Sequence, residues 1–584
     1  MAKLMTGIPG GSFLVNQIKE EDLFFPEDLT DEHKMILKTA KQFATREVEP
    51  NYKAIENQDF DLVVNLLKKA GSLGLLAHSI PEEYGGLGLD KVSKGIVGEQ
   101  VGSTGSYGVA HSNHTCIATL PITYFGTHEQ KKRYLPKLAS GEFIGAYCLT
   151  EPDAGSDAMS GKTTAVLNES KSYYLLNGTK IYITNAAFSD TFIVYAKIDG
   201  QHFTAFIVEK DFPGLKLGPE EKKMGIKGSS TRSVILEDCE VPVENLLGDI
   251  GRGHIIAFTV LNLGRFNLGS ACVGASKHAL KNTVTHINGR KQFGQTLAEF
   301  GASKEKVAKM ASRIYTAESL QYRTSMLLER ALGELNDESD RAETIAGLSE
   351  YAMECAVCKV YSSETLDFLV DEGLQLHGGA GFISEYRIEQ MYRDSRINRI
   401  FEGTNEINRL LLTGQFLKKS LKGLLPYEQA VKDAFLRLSE KEPAVNEDKQ
   451  IGLVQDLRSI YLVLVELARK KFGKDLETQQ EVLMKLSDLA IQLYATESVV
   501  FRTRKSTDSE NNRTHKHFLM ELSVEEAINQ AIITVRELDQ ELLESNTELR
   551  DRIFSILLSY QFADSINRNR MIAATIYEQG EYRI

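Results

Sequence analysis

The spacing of apolar residues changes twice along this chain of 584 residues, and the two changes restrict the folds that it can adopt. Up to about Ser140 the apolar side chains recur at helical spacing, as they do in residues 31–48. Short alternating or β-branched runs fill residues 145–249, and helical spacing returns after Gly253. The sequence therefore predicts an α+β protein in which a β domain lies between helical domains.

These changes divide the chain into four predicted domains. Residues 1–144 form an N-terminal helical domain, residues 145–250 a middle antiparallel β domain of about seven strands, residues 251–420 a C-terminal four-helix bundle, and residues 440–584 an extra C-terminal helical domain. Such a division is expected because single hydrophobic cores stop growing beyond about 250–300 residues. Residues 439–450, SEKEPAVNEDKQ, are interpreted as the linker before the last domain.

Local signals place individual elements inside these domains. Asn177 and Gly178 are typical of a turn between two strands. The bundle helices are predicted at residues 255–288, 303–332, 341–373 and 388–417. The last domain has two apolar stripes at helical spacing, formed by Leu453, Leu457, Ile460, Leu464 and Leu467 and by Val482, Leu486, Leu489 and Leu493.

Charge and composition exclude some classes of protein. A net charge of -12 argues against a general nucleic-acid or anionic-membrane binder. No apolar run reaches about 18 residues, so no transmembrane segment is expected. The N-terminal segment MAKLMTGIPGGSFLV has no signal-peptide pattern, and the six cysteines show no disulfide spacing. The expected location is therefore cytoplasmic.

Two short motifs have the residue types of metal sites but not enough ligands. Cys355 and Cys358 form an isolated CxxC in a helical pattern, which favours buried packing over zinc or redox work. His111 and His114 form an isolated HxxH, which is more typical of a helix surface. No metal site is predicted.

The segment RINRIFEGTNEINR, residues 396–409, contains the most unusual carboxylate of the chain. Glu402 follows the apolar Ile400 and Phe401 and precedes Gly403, which lets backbone approach a ligand closely. A carboxylate partly removed from water in this way can act as a base. It can equally form an ion pair with a neighbouring arginine at a helix end, and the segment alone leaves both roles open.

Five separated motifs together resemble those of the acyl-CoA dehydrogenase family, and they occur in the family's order. They are YCLTEPDAGSD at 147–157, KIYITNA at 180–186, GRKQFG at 289–294, QLHGGAGF at 375–382 and FEGTNEI at 401–407. One motif would be weak evidence, whereas five in order between residues 30 and 415 are specific. The resemblance implies FAD-dependent α,β-dehydrogenation of acyl-CoA thioesters to trans-2-enoyl-CoA, a reaction of fatty acid β-oxidation.

No GxGxxG motif follows a strand, so a Rossmann fold is not indicated. The resemblance implies instead that FAD lies in a cleft between domains. Arg290 and Phe293 resemble residues that reach the FAD of a neighbouring subunit, so cofactor binding implies an oligomer. Tyr182 stands where many members carry tryptophan, and Asp153 where members often have a small residue. The implied cofactor residues are Tyr147, Leu149, Thr150, Gly155, Ser156, Tyr182, Ile183, Thr184, Arg290, Phe293, Gln375, Leu376, His377, Gly378, Gly379, Thr404, Asn405 and Glu406. Taken alone, the PDAG and GGAG sequences are also typical of plain turns, and Thr184 of a strand end.

Glu402 resembles the family's catalytic base, which removes the α proton of the thioester while the β hydrogen leaves as hydride. Burial is expected to raise the Glu402 pKa, and its backbone N–H is implied to bind the thioester carbonyl. Other members carry the carboxylate on the first bundle helix before an arginine, where this chain has Gly264 and Arg265. The implied substrate-binding residues are Ser156, Asn262, Arg265, Gly403, Gly108 and Ser112.

The helical tail resembles that of very-long-chain members, which are commonly dimers. Small residues at Gly108, Ala110 and Ser112 resemble the floor of the family's acyl pocket, so medium to very long acyl chains are expected. The implied partners are an acyl-CoA, an electron-transfer flavoprotein and further copies of the chain in a homodimer or homotetramer. The lysines Lys418, Lys419 and Lys422 beside leucines indicate a solvated helix end or, less favoured, a weak peripheral membrane contact.

Two alternatives of other classes share most of these motifs. An acyl-CoA oxidase would pass electrons to O₂. A catalytically silent relative with an assembly role would keep the fold, although Glu402 and the acidic net charge argue against it.

Overall fold

The computed structural model describes residues 8–335, 339–439, 448–562 and 564–584. Within them, a helical region, a β-sheet region and two further helical regions follow one another along the chain. The predicted α+β fold class is therefore confirmed. Most of the predicted linker at 439–450 lies outside the described residues.

The N-terminal region is a set of helices: α1 Asp31–Phe43, α2 Tyr52–Glu56, α3 Phe60–Ser72, α4 Lys91–Gly102, α5 Ser106–Ser112, α6 Leu120–Phe125 and α7 His128–Ser140. α1 begins after Thr30 because the Thr30 hydroxyl accepts a hydrogen bond from the His33 N–H. α4 lies very close to the first bundle helix, since a Cβ at Gly102 would be 2.3 Å from the Ala271 Cα. This approach joins the N-terminal region to the bundle.

The middle region forms one eight-stranded sheet of β1 Gly145–Cys148, β2 Thr164–Leu167, β3 Tyr173–Thr184, β4 Thr191–Ile198, β5 His202–Glu209, β6 Leu215–Glu220, β7 Thr231–Pro242 and β8 Leu246–Leu247. The strand order is β6-β7-β3-β2-β4-β5-β8, with β1 beside β4. Most neighbours are antiparallel, whereas β1 and β2 both run parallel to β4.

The predicted turn at Asn177 and Gly178 is wrong, because both residues lie inside β3. The register of β3 against β7 shifts between Leu176 and Gly178, which marks a bulge. A Cβ at Gly178 would lie 2.4 Å from the Thr163 Oγ1 atom. The glycine therefore permits close packing against a neighbouring segment rather than a chain reversal.

The bundle region contains α8 Gly253–Gly289, α9 Gly301–Leu332, α10 Arg341–Glu350, α11 Ala352–His377, α12 Arg387–Ser395 and α13 Asn405–Leu421, with a small hairpin of β9 Lys291–Gln292 and β10 Gln295–Thr296 after α8. Two of the four predicted helices are interrupted. The helix expected at 341–373 is divided near Tyr351, and the one expected at 388–417 is divided at residues 396–404. The second interruption contains Glu402.

The tail forms α14 Tyr427–Ser439, α15 Lys449–Phe472, α16 Gln480–Lys505, α17 Glu510–Leu538, α18 Thr547–Ser559 and α19 Ser565–Gln579. The two apolar stripes predicted there are buried, except that Leu467 is partly exposed. They share one continuous core with α8, α9 and α11, so the tail is packed onto the bundle. Phe13 and Leu14, for which the sequence indicated no helix or strand, are buried in the same core.

α8 is long and apolar enough to cross a membrane by length and composition alone, but most of its apolar stretch is buried inside the protein. It passes through the centre of the fold and contacts α4, α9 and α11. This is the arrangement of a core helix.

The six cysteines, His111 and His114 lie in the interior. All six cysteines are unpaired and buried, as expected for Cys355 and Cys358. The expectation that His111 and His114 lie on a helix surface is wrong, because both are buried and His114 Nδ1 accepts a hydrogen bond from the Gly145 N–H. Among the described residues there is no group of three or more ligands that could hold a metal ion.

Candidate active site

Glu402 lies in the interruption between α12 and α13, on a loop with an unusual backbone. The φ angle is 58° at Glu402 and 79° at Gly403, so two consecutive residues are left-handed. For a residue other than glycine this conformation costs about 1–3 kcal/mol and persists only where the surroundings hold it. The loop ends at Thr404, whose hydroxyl caps α13 by accepting a hydrogen bond from the Ile407 N–H.

Three side chains from different helices hold this loop by its carbonyl oxygens. Arg265 of α8 donates from Nε to the Glu402 carbonyl at 3.3 Å. Asn408 of α13 donates from Nδ2 to the Gly403 carbonyl at 2.9 Å, and Lys359 of α11 donates from Nζ to the same oxygen at 2.8 Å. The bundle therefore fixes the position of Glu402 through its backbone.

The Glu402 carboxylate is free to act on another molecule. Its Oε2 atom has no hydrogen-bond partner among the described residues. The side chain keeps some access to solvent, yet protein encloses it so closely that desolvation raises its pKa to about 7. The nearby cations of Arg265 and Lys359 act in the opposite direction and lower it. A carboxylate with this pKa can both accept and release a proton near neutral pH.

Gly264 makes room for this carboxylate. A Cβ at Gly264 would lie 2.7 Å from Glu402 Oε2 and 2.9 Å from Cδ. The space that a side chain at this position of α8 would fill is therefore occupied by the Glu402 carboxylate.

We expect Gly264→Ala to lower turnover while leaving the fold intact. The methyl group would displace the Glu402 carboxylate, but alanine favours the helix by about 0.5–1 kcal/mol over glycine. The measurement compares kcat and the thermal unfolding midpoint of the variant with those of the wild type. An unchanged kcat would show that the carboxylate does not need its present position. Gly289→Ala, near the end of the same helix with open space around its Cβ, is the control.

Arg265 and Asn262 are hydrogen-bonded to each other and to the surroundings of Glu402. Arg265 donates from Nη1 to Asn262 Oδ1 at 2.9 Å, and Asn262 Nδ2 donates to the Leu348 carbonyl at 3.1 Å. Both side chains are buried. Arg265 therefore positions Glu402, and a direct substrate contact of either side chain stays a prediction.

The structure brings the first two cofactor motifs together. The Ile181 N–H of β3 donates to the Thr150 carbonyl at 3.0 Å. A buried ion pair of Lys180 with Glu151, at 2.6 Å, fixes the loop that follows β1, and Glu151 also accepts from the Thr163 hydroxyl. Leu149 and Thr150 are half-buried, Tyr147 and Ile183 are buried, and Gly155 and Ser156 lie on the exposed part of the loop.

Next to this loop, Tyr182 presents an aromatic ring to solvent. It is 64% exposed, and its φ of 59° coincides with a bulge in β3, where the register against β7 shifts between Lys180 and Ile183. Thr184 follows at the strand end, half-buried. An exposed ring on a strained residue beside a loop rich in hydroxyl and N–H groups suits a flat aromatic ligand.

The other two cofactor motifs lie together at a second place. His286, near the end of α8, stacks on His377, at the end of α11, with ring centroids 4.1 Å apart. Phe293 is 93% exposed at the tip of the β9–β10 hairpin, and Arg290 is exposed at its base. Gln375 is exposed and Leu376 is half-buried on the last turn of α11. Gly378 and Gly379 have open space where a Cβ would be, so a ligand can approach their backbone.

The cofactor residues predicted from the first four motifs thus form two groups, and Thr404, Asn405 and Glu406 stand on a third segment, at the start of α13. Among the described residues, no hydrogen bond, ion pair or ring contact joins the loop after β1 to the ends of α8 and α11. Both groups combine open backbone or donor groups with an exposed aromatic ring, which fits the two ends of FAD. That the second group serves the FAD of another subunit stays a prediction.

Two sequence predictions need correction. The Asn405 side chain is not free for a cofactor, because it is buried and bonded to Lys359 and Glu364. Gly108 does not face open space, since a Cβ there would lie 2.7 Å from the Val101 carbonyl oxygen of α4. Its small size allows helix packing. Ser112 is half-buried and Glu406 is exposed, and their predicted roles stay predictions.

Sequence reasoning missed Lys359, Asn408 and the ion pair of Glu151 with Lys180. Lys359 lies in the pattern YAMECAVCKVYSSE, where it is the lone basic residue on an otherwise uncharged helix face. A charged residue at such a buried position was the signal that could have identified it.

Family models match the chain in four segments. The model described as acyl-CoA dehydrogenase, N-terminal domain, matches residues 30–142, and the middle-domain model matches residues 146–239. Two models described as acyl-CoA dehydrogenase, C-terminal domain, match residues 251–417 and residues 456–550.

Individual proteins match over nearly the whole chain. A probable acyl-CoA dehydrogenase of Bacillus subtilis (strain 168) is 46% identical over 98% of both chains. The mitochondrial very long-chain specific acyl-CoA dehydrogenase of Homo sapiens is 34% identical over 86% of this chain and 79% of its own. The crystal structure of an acyl-CoA dehydrogenase from Bacillus anthracis complexed with FAD is 48% identical and covers 99% of this chain and 100% of its own, with a TM-score of 0.95.

Proposed function

Since the chain belongs to the acyl-CoA dehydrogenase family, we propose that it oxidises medium to very long acyl-CoA thioesters to trans-2-enoyl-CoA. We further propose that it passes the electrons to an electron-transfer flavoprotein. The protein is an FAD-dependent oxidoreductase that acts on acyl-CoA. Chain length, electron acceptor and pathway are what we propose in addition.

The environment of Glu402 supports the proposal most directly. An α C–H of a thioester is a weak acid, so its removal needs a base whose pKa lies near the working pH. The enclosed, unpartnered Glu402 carboxylate with a pKa of about 7 is such a base. When bound, FAD supplies the acceptor for the hydride that leaves the β carbon.

The backbone of the same residue supplies a second group. The Glu402 N–H donates to no other group in the part of the chain that the structure describes. It is therefore available for the thioester carbonyl, where negative charge develops as the α proton leaves. The left-handed φ of Glu402 and the three side chains that hold the loop fix this N–H in advance.

Long chains are supported by the tail. The human very long-chain relative matches 86% of this chain, which is more than the 30–417 segment covered by the first three family models. Gly108 packs against α4, so its small size does not deepen an acyl pocket. The resemblance of Ala110 and Ser112 to the floor of the family's acyl pocket also supports long chains.

Steady-state turnover of saturated acyl-CoAs of graded length with an artificial electron acceptor tests the chain-length proposal. We expect kcat/KM to rise with each added methylene up to a long chain, because each buried methylene contributes about 0.8 kcal/mol. A maximum at butyryl-CoA would contradict the proposal. Oxygen consumption with and without electron-transfer flavoprotein distinguishes a dehydrogenase from the oxidase alternative.

Arg290→Ala is expected to weaken FAD retention and subunit association together. Arg290 is exposed at the base of the β9–β10 hairpin, away from the loop after β1, so we expect its guanidinium to bind a phosphate of the FAD in an adjacent subunit. The measurement is flavin content after dialysis, with the oligomeric mass determined in parallel. Lys291→Ala, exposed on the same hairpin, is the control. Unchanged flavin content in Arg290→Ala would show that Arg290 does not contact the cofactor.

A further inference from the structure

The C-terminal extra domain contacts the bundle at the helix that follows the Glu402 loop. Arg409 of α13 donates from Nε to Asp488 Oδ1 of α16 at 2.7 Å. Ser487, beside Asp488, donates its hydroxyl hydrogen to the Arg409 carbonyl at 2.6 Å. α16 thus holds both the side chain and the backbone of Arg409.

The same arginine continues the contact into the bundle. Arg409 donates from NH1 and NH2 to the two carboxylate oxygens of Glu364 on α11, at 2.8 and 3.1 Å. A bidentate pair of this kind fixes the plane of the carboxylate as well as its distance. One oxygen of Glu364 then accepts from Asn405 Nδ2 at 2.9 Å.

Asn405 passes the arrangement to the loop itself. Its Oδ1 atom accepts a hydrogen bond from Lys359 Nζ, and Lys359 in turn donates to the Gly403 carbonyl at 2.8 Å. Lys359 and Asn405 are both buried, so neither side chain can exchange these partners for water. The continuous set Asp488, Arg409, Glu364, Asn405 and Lys359 is called the loop-support chain below.

We propose that the loop-support chain makes the C-terminal extra domain part of the active site, with Asp488 and Lys359 as positioning residues for Glu402. Asp488 orients Arg409 and Glu364, these orient Asn405, and Asn405 directs the Lys359 ammonium to the Gly403 carbonyl. The inference rests on the proposed role of Glu402 as base. α16 would then help to position Glu402 in addition to covering the bundle.

The electrostatic surroundings show what loss of this support would change. The charged or titratable groups that act on Glu402 are Arg265 of α8 and Lys359 of α11, and Glu402 in turn acts on Tyr147 of β1 and on Cys116, between α5 and α6. Of these, the two cations favour the ionised carboxylate. A displaced or missing Lys359 ammonium therefore leaves Glu402 harder to ionise, so its pKa rises.

The test uses flavin-loaded, full-length variants and the rate of anaerobic flavin bleaching by a saturated long-chain acyl-CoA as a function of pH. We expect Lys359→Met to lower the rate constant at neutral pH at least about tenfold and to move the pH profile upward by roughly one unit. Asp488→Asn should change both quantities in the same direction by a smaller amount, and Asp488→Glu should restore part of the rate.

The control is Asp456→Asn in the same domain. Asp456 accepts from Arg437 Nε at 2.6 Å and is 15% exposed, against 2.7 Å and 22% for Asp488, but its arginine lies on α14 and not beside the loop. We expect a wild-type pH profile for this variant. A lower unfolding temperature with an unchanged profile in Asp488→Asn would mean a structural role alone and would overturn the inference.

Lys359→Met keeps the inference testable if Asp488→Asn does not fold. A wild-type pH profile in Lys359→Met would also overturn the inference. Failure of the proposed function has a different signature. In that case the wild-type protein itself would show no bleaching with any acyl-CoA.

Discussion

Glu402→Gln is expected to abolish nearly all dehydrogenation while leaving the fold and the bound FAD in place. Glutamine keeps the shape of the side chain, and the loop is held by backbone carbonyls that the substitution does not alter. An amide cannot accept the α proton, and loss of a general base typically lowers the rate by about 10²–10⁴-fold. The measurement is the single-turnover rate of flavin bleaching by a saturated acyl-CoA.

Two observations make this result specific. Flavin content and the thermal unfolding midpoint should equal those of the wild type, since the carboxylate has no partner on Oε2 to lose. Glu428→Gln, on an exposed residue of α14, is the control and should keep wild-type turnover. A Glu402→Gln variant with a tenth of the wild-type rate would remove Glu402 from its role.

Glu497→Ala is expected to have the largest effect on stability. The Glu497 carboxylate of α16 is fully buried between two arginines: it accepts from Arg323 NH2 of α9 at 2.6 Å and from Arg458 NH2 of α15. Removal of one partner of a buried ion pair costs about 3–5 kcal/mol, because the remaining charge stays out of water without compensation. Here two guanidinium groups would be left in that state.

The thermal unfolding midpoint, followed by circular dichroism, is the measurement for Glu497→Ala, and we expect a decrease of roughly 4 °C. Glu541→Ala is the control because Glu541 pairs with Lys471 at 2.6 Å with both side chains about half exposed. Exposed pairs contribute about 0–1 kcal/mol, so its midpoint should hardly change. Equal midpoints for the two variants would show that the ion pairs of Glu497 with Arg323 and Arg458 do not stabilise the packing of the tail on the bundle.

The fold could be predicted largely from periodicity. Helical spacing identified α1, α8 and α9, and the alternation after Gly145 identified the sheet. The errors occurred where a tertiary contact overrides a local signal. Asn177 and Gly178 have the residues of a hairpin turn, but Thr163 packs against Gly178 and the strand continues. The apolar pattern of residues 388–417 likewise gave no sign of the interruption that holds Glu402.

The active site could be predicted in part, through residues that have unusual chemistry in an unusual place. Glu402 was identifiable because an acidic residue follows two large apolar ones and precedes a glycine. Lys359, Asn408 and Asp488 were not, because their importance arises only where helices far apart in sequence meet. Gly108 shows the converse problem: a small residue indicates close packing, and only the structure shows that the partner is α4 rather than a ligand.

We propose that Glu402 removes a proton from an acyl-CoA bound beside FAD. The most direct test is anaerobic mixing of the flavin-loaded protein with a saturated long-chain acyl-CoA whose α carbon carries deuterium. We expect rapid bleaching of the visible flavin band in the wild-type protein. Bleaching should be slower with the deuterated substrate and nearly absent in Glu402→Gln. Bleaching of Glu402→Gln at the wild-type rate, or no bleaching of the wild-type protein by any acyl-CoA, would contradict this proposal.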